Sequence, residues 1–162
     1  MIYKTTSTGS GDTERLGELL ASQIKTPLLI ALVADLGGGK KTFVKGLARG
    51  LKSQSAVSSP TFTLSRIYKC AGGKQIHHYD FYRLPEPGVL KEQIKESLVD
   101  DNVLTVVEWS DIVKDALPKK RLSIELNPTA NDPEEREIII NYPEEFASLI
   151  RHLEQQQGRS EP

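Results

Sequence analysis

The chain has 162 residues, a formal net charge of −1 and a single cysteine, Cys70. That length suits one domain with a sizeable core, and the balanced, interspersed charge argues against tight direct binding to nucleic acid. One cysteine excludes an intrachain disulfide, and the lack of a charged-then-apolar leader or a bilayer-length apolar run predicts a cytoplasmic chain without membrane contact.

Residues 5–12 are polar and rich in Ser, Thr and Gly. They end in Asp12, the expected N-cap of a helix over 13–25 whose Leu16, Leu19, Leu20 and Ile24 recur at helical spacing. Thr26-Pro27 stops that helix. Residues 28–34 form a continuous apolar run that breaks into Asp35-Leu36-Gly37-Gly38-Gly39-Lys40-Lys41-Thr42. A buried strand delivers a phosphate-binding loop to a helix N-terminus in this way. Glycines let backbone N–H groups approach an anion, and Lys40 adds an ammonium for the terminal phosphates. The helix that follows, over 42–51, carries Phe43, Val44, Leu47 and Leu51 on one face. An ordinary glycine-rich turn is the plain alternative.

The loop departs from G-x-x-x-x-G-K-[ST] at two places. Ala34 stands at the first glycine, and Lys41 stands where a Ser or Thr hydroxyl normally meets Mg²⁺. An ammonium cannot ligate a cation, so Lys41 is expected to weaken Mg²⁺ coordination and to leave nucleotide binding better preserved than hydrolysis. Thr42 is the nearest hydroxyl, but it is rotated by about 100° around the helix.

Ser58-Ser59-Pro60-Thr61-Phe62-Thr63 leads into a strand over 61–68, with Thr61, then Ser59, as candidate nucleotide-sensing hydroxyls. Ala71-Gly72-Gly73-Lys74 reads as a hairpin turn and residues 75–82 as the returning strand. Within it, His78, Asp80 and Tyr82 share one face. Pro85 and Pro87 precede a weak helix over 89–98. Val103–Val107 is a second buried strand that delivers Glu108 and Trp109 to its end, where α/β sheets build their ligand crevice. Asp80 and Glu108 are thus candidate magnesium and water-orienting carboxylates, or else solvated strand ends. Trp109 is either core or a neighbour of nucleotide or partner. His77, His78 and Asp80 lack further ligands for a zinc site. Strands over 121–126 and 135–141 read as an antiparallel pair at one side of the sheet, and 143–155 as a final helix with Phe146, Leu149, Ile150 and Leu153 facing the core. The alternation of helices and strands gives an α/β layer fold with a mixed sheet.

Three blocks, Asp35–Lys40, Ser59–Leu64 and His78–Leu84, together with Glu108-Trp109, resemble the TsaE family of bacterial tRNA threonylcarbamoyladenosine biosynthesis. The resemblance implies a three-layer, P-loop NTPase-like fold with a parallel core and added antiparallel strands. It implies one ATPase domain, which spans residues 1–154, while the polar stretch 155–162 reads by itself as a disordered tail. It also implies slow hydrolysis of ATP with Mg²⁺, association with the TsaD and TsaB proteins, and modification of adenosine 37 in tRNAs that read codons beginning with A. Carried over by position, Asp35, Leu36, Gly37, Gly38, Gly39, Lys40, Lys41, Thr42, Thr61 and Trp109 bind the nucleotide. Asp80, Thr42 and Glu108 serve the metal, and Lys40 and Glu108 the chemistry. The family usually has Gly and Thr where this chain has Ala34 and Lys41, and a glycine with an acidic-aromatic pair where it has Gln93–Leu98. Two other functions compete. A small-molecule kinase needs clustered arginines, whereas Arg49, Arg66, Arg83, Arg121 and Arg136 are scattered. A nucleotide-binding adaptor would bind tightly and release no phosphate.

Overall fold

The computed structural model describes residues 1–58, 64–82, 88–109 and 117–158. Its strands are β1 (Ile2–Ser7), β2 (Leu28–Val33), β3 (Ser65–Lys69), β4 (Gln75–Asp80), β5 (Val103–Glu108), β6 (Leu122–Pro128) and β7 (Arg136–Asn141). Its helices are α1 (Ser10–Gln23), α2 (Lys40–Gly50), α3 (Gly88–Val99) and α4 (Ala147–Gly158). The strands form one seven-stranded sheet in the order β1-β7-β6-β2-β5-β4-β3. β6, β2, β5 and β4 run parallel. β3 is antiparallel to β4, and β7 is antiparallel to both β6 and β1.

Apolar residues alternate across this sheet, so each face has a core. Leu28, Ile30 and Leu32 of β2 pack with Leu16 and Leu20 of α1, Phe43 and Leu47 of α2, and Ile150 and Leu153 of α4. Leu29, between them in sequence, packs on the other face with Tyr79, Phe81, Val107 and Ile94 of α3. The result is three layers. A strand with helices on both faces is buried on both, which is why β2 reads as an unbroken hydrophobic run and Val103–Val107 of β5 as one broken only by the buried Thr105.

Several expectations change. The polar N-terminus contains β1, whose half-buried positions are Tyr3 and Thr5. Its inward face is not aliphatic, so periodicity did not mark it, and pairing with β7 holds it in place. Asp12 is not the N-cap: Gly9 is, and Asp12 lies in the first turn of α1. The Asp12 carboxylate instead accepts from the Thr8 hydroxyl at 2.5 Å and the Thr8 N–H at 2.9 Å. Those bonds, the hydroxyl's first, hold its carboxyl below the usual aspartate range. β6 does more than pair with β7, because its other edge joins the parallel core beside β2. α4 continues to Gly158, past the expected start of the tail, and the Gln157 amide lies 3.5 Å from Thr5 Oγ1. The first part of the strand expected over 61–68, the lead-in at Pro85 and Pro87, and residues 159–162 lie outside the described residues.

α1 and α2 approach closely, and glycines make that possible. A Cβ on Gly46 would lie 2.0 Å from the Glu14 carbonyl oxygen, and one on Gly50 would lie 2.5 Å from that of Glu18. Both obstacles are helix backbone, which cannot rotate away. Gly46→Ala is therefore expected to lower stability by about 3 kcal/mol, a core-overpacking cost. Thermal melting checks this, with Gly11→Ala as control, since a Cβ there meets nothing within 4 Å. Equal melting temperatures for the two variants would refute the close-approach account.

Candidate functional site

The loop between β2 and α2 wraps a cleft at the carboxyl ends of the parallel strands, the place where open α/β sheets bind ligands. Gly37 and Gly39 take left-handed φ values of 75° and 97°. Gly38 is confined differently: a Cβ there would lie 2.7 Å from Ala34 Cβ and 2.9 Å from the Asp35 carbonyl oxygen. Its N–H donates to that same oxygen at 2.9 Å, which closes the turn. Gly39 is the N-cap of α2, so the helix begins at Lys40, two residues before the expected start. The positive end of the helix dipole and the N–H groups of its first turn thus face the cleft.

Leu36, Gly37, Gly38, Gly39, Lys40, Lys41, Thr42, Asp80, Tyr82, Glu108 and Trp109 line this cleft of about 430 Å³. Strand order explains the grouping. β5 lies between β2 and β4, and Asp80 is paired in register with Glu108 at the ends of β4 and β5. Both carboxylates are buried, and so is Lys40. Glu108 is the last residue of β5 rather than the first beyond it.

Lys40 folds back onto its own loop. Its Nζ donates to the Ala34 carbonyl at 2.6 Å and the Asp35 carbonyl at 3.0 Å. It also lies 4.4 Å from the centroid of the Trp109 ring, a cation–π contact. Burial lowers its pKa from the ordinary lysine value, opposed by the nearby charges of Glu108, Asp80 and Asp35. Trp109 holds a left-handed backbone with φ 57°, costly for a bulky residue, while its N–H donates to the Leu32 carbonyl at 3.3 Å. That turn at the end of β5 sets the indole against Lys40 and against Tyr82, whose ring centroid is 4.8 Å away.

The sequence expectations thus converge on one cleft, with three qualifications. Thr61 and Ser59 lie outside the described residues. Asp35 borders the loop by its carbonyl but is not a lining residue of the cleft. Lys41 lines the cleft but is exposed on α2 beside the half-buried Thr42. Tyr82 was noted only as a face-mate of Asp80; its i, i+2 spacing was the available signal. Arg136 was not read as part of the site. Its guanidinium lies 3.5 Å from the Gly37 carbonyl, a contact from the far end of the chain without any local signature.

Asp80 Oδ1 accepts the Tyr82 N–H at 2.9 Å, and Glu108 Oε1 lies 2.8 Å from His78 Nε2. Among the described residues no cluster of three or more His, Cys, Asp or Glu forms a metal cage. Two carboxylates beside a glycine loop and a helix N-terminus are nonetheless a donor set of the kind that Mg²⁺ takes. The residues fit that ion, with one departure: an ammonium at Lys41 where a hydroxyl is usual.

A family model described as "Threonylcarbamoyl adenosine biosynthesis protein TsaE" matches residues 7–138. The chain belongs to the TsaE family. A relative in Rickettsia conorii named "tRNA threonylcarbamoyladenosine biosynthesis protein TsaE" is 33% identical over 146 residues, covering 88% of this chain and 82% of its own. The TsaE protein of Bacillus subtilis is 33% identical over 127 residues, covering 78% of this chain and 77% of its own. That of Aquifex aeolicus is 49% identical over a shorter 77 residues, 46% of this chain and 57% of its own. The crystal structure of Bacillus subtilis YdiB superposes with a TM-score of 0.77 at 28% identity, covering 97% of each chain. The TsaE match spans the phosphate loop, Asp80, Glu108 and Trp109. Among the described residues, no helix is long and apolar enough to cross a membrane.

Proposed function

We propose that this chain binds and slowly hydrolyses ATP in the biosynthesis of threonylcarbamoyladenosine at position 37 of tRNAs that read codons beginning with A, acting with TsaD and TsaB. The observation that carries the nucleotide reading is the cleft itself. The glycine loop Gly37–Gly39, the N-terminus of α2 and a buried lysine line it together with two buried carboxylates. That arrangement suits a polyanion on one side and a metal-assisted displacement on the other. Membership of the TsaE family supports the pathway.

In this reading Lys40 exchanges its two loop carbonyls for the β- and γ-phosphate oxygens. Asp80 and the Thr42 hydroxyl would hold Mg²⁺ directly and Glu108 through water, and the ion would supply charge neutralisation at the phosphates. Glu108 orients the water that attacks the γ-phosphorus and draws its proton; the bond to the β-phosphate oxygen breaks, giving ADP and phosphate. Trp109 and Tyr82 form the apolar wall beside the nucleotide.

Trp109 is the single tryptophan, so its fluorescence reports the site directly. Titration with ATP should change that fluorescence saturably. A flat titration, with no heat in calorimetry, would refute nucleotide binding. Pull-down with TsaD and TsaB, with and without ATP, tests the partnership, and no association under either condition would refute it.

A second reading, a nucleotide-binding adaptor that does not turn over, is favoured by Lys41 alone. Lys41→Thr restores a hydroxyl at that position, and Mg²⁺-dependent phosphate release should rise by about tenfold, the gain expected from one added metal ligand. If release is unchanged, Lys41 does not limit metal use.

A further inference from the structure

Glu108 ends a chain of buried polar contacts that the nucleotide reading leaves unexplained. Its Oε1 lies 2.8 Å from His78 Nε2, and the two residues are 5% and 1% exposed. Across the imidazole, His78 Nδ1 lies 3.5 Å from the Tyr68 hydroxyl. That hydroxyl donates to the Ser58 carbonyl at 2.5 Å. The register builds this line. His78 of β4 is paired with Val106 of β5, two residues before Glu108, and Tyr68 of β3 is paired with Ile76, two residues before His78. Each contact is therefore a diagonal one between neighbouring strands, within reach of long and aromatic side chains.

The chemistry of each atom is constrained. A carboxylate removed from water needs a donor, and His78 Nε2–H is placed to be it. That assigns the proton to Nε2 and turns Nδ1 towards Tyr68. The Tyr68 hydroxyl has one proton, and it is directed at Ser58. With Oε1 held by His78, Oε2 is the oxygen left to work in the cleft. The Tyr68 hydroxyl gives its proton to Ser58 and none to Nδ1, so the bond to Glu108 is what orients the imidazole, beside the tilted Tyr68 ring.

We propose that His78 is a positioning residue for Glu108, holding Oε1 through its Nε2–H from the neighbouring strand β4. The inference rests on the ATP-hydrolysing reading and deepens it. Among the described residues His78 does not line the cleft and is bonded to Glu108, which does, so its removal impairs turnover and spares nucleotide affinity. A general stabilising role would not make that distinction.

The test measures phosphate release and ATP affinity, the latter by Trp109 fluorescence, on full-length variants. His78→Leu should lower kcat by about 10- to 100-fold, the range for losing an orienting partner, with the Kd for ATP held within about twofold. His78→Gln, whose amide N–H reaches the place of Nε2–H, should recover most of the loss. Combined with Glu108→Gln, His78→Leu should cost no further turnover, because both changes remove the same function. His78→Leu alone strands a buried charge. If that protein does not fold, the double variant, in which the charge is gone, carries the test beside Glu108→Gln alone. Wild-type turnover in the variants, parallel losses of affinity and turnover, or multiplying losses in the double variant would overturn the proposal while leaving the nucleotide reading intact. A wild-type chain without turnover would defeat the hydrolytic reading, and this proposal with it.

Discussion

Glu108→Gln is expected to reduce ATP turnover by about 10²- to 10⁴-fold, the contribution of a positioned general base. Nucleotide affinity should stay within about threefold, because a change that removes only a transition-state contact lowers kcat without raising the dissociation constant. The substitution keeps the size and hydrogen-bonding capacity of the side chain, so the contact with His78 survives through the amide oxygen. What it removes is the basicity that draws a proton from water. It also removes a negative charge from a cleft that holds Lys40 and Asp80. Phosphate release beside a fluorescence titration separates the two effects. A variant that binds ATP as the wild type does and hydrolyses it equally fast would exclude Glu108 from the chemistry.

Lys40→Ala acts on the other side of the cleft and should abolish binding. Truncating one partner of a desolvated, charge-assisted contact costs about 2–5 kcal/mol, roughly 30-fold or more in affinity. The lysine is already desolvated, with its ammonium on the Ala34 and Asp35 carbonyls and against Trp109. Much of the desolvation that a phosphate contact demands has therefore been met before ligand arrives, so the contact is strong and its loss is large. Lys40→Arg should not restore affinity, since a planar guanidinium is bulkier than the point charge seated between loop and indole. Calorimetry decides this: unchanged affinity in Lys40→Ala would remove the loop lysine from the binding account.

The glycine loop was legible because its physics is local. Three successive glycines after an apolar run mark a backbone that must turn sharply, and Gly37 and Gly39 do occupy the left-handed region. Asp80 and Glu108 were legible as strand-end carboxylates. Their side-by-side placement was not, because it depends on β5 sitting between β2 and β4. Strand β1 escaped notice because Tyr3, Thr5 and Ser7 supply a polar inward face, and only β7, more than 120 residues away, makes it a strand.

Residue order alone determined where the chain turns, which strands are buried on both faces, and the unusual ammonium at Lys41. Those properties follow from side-chain volume, backbone freedom and charge within a few neighbouring positions. Only the folded molecule decided that His78 serves Glu108, that Trp109 covers Lys40 and that Arg136 reaches Gly37. These contacts join segments about 30 to 100 residues apart, and no local energy term selects such a pair until strand order and register bring it together.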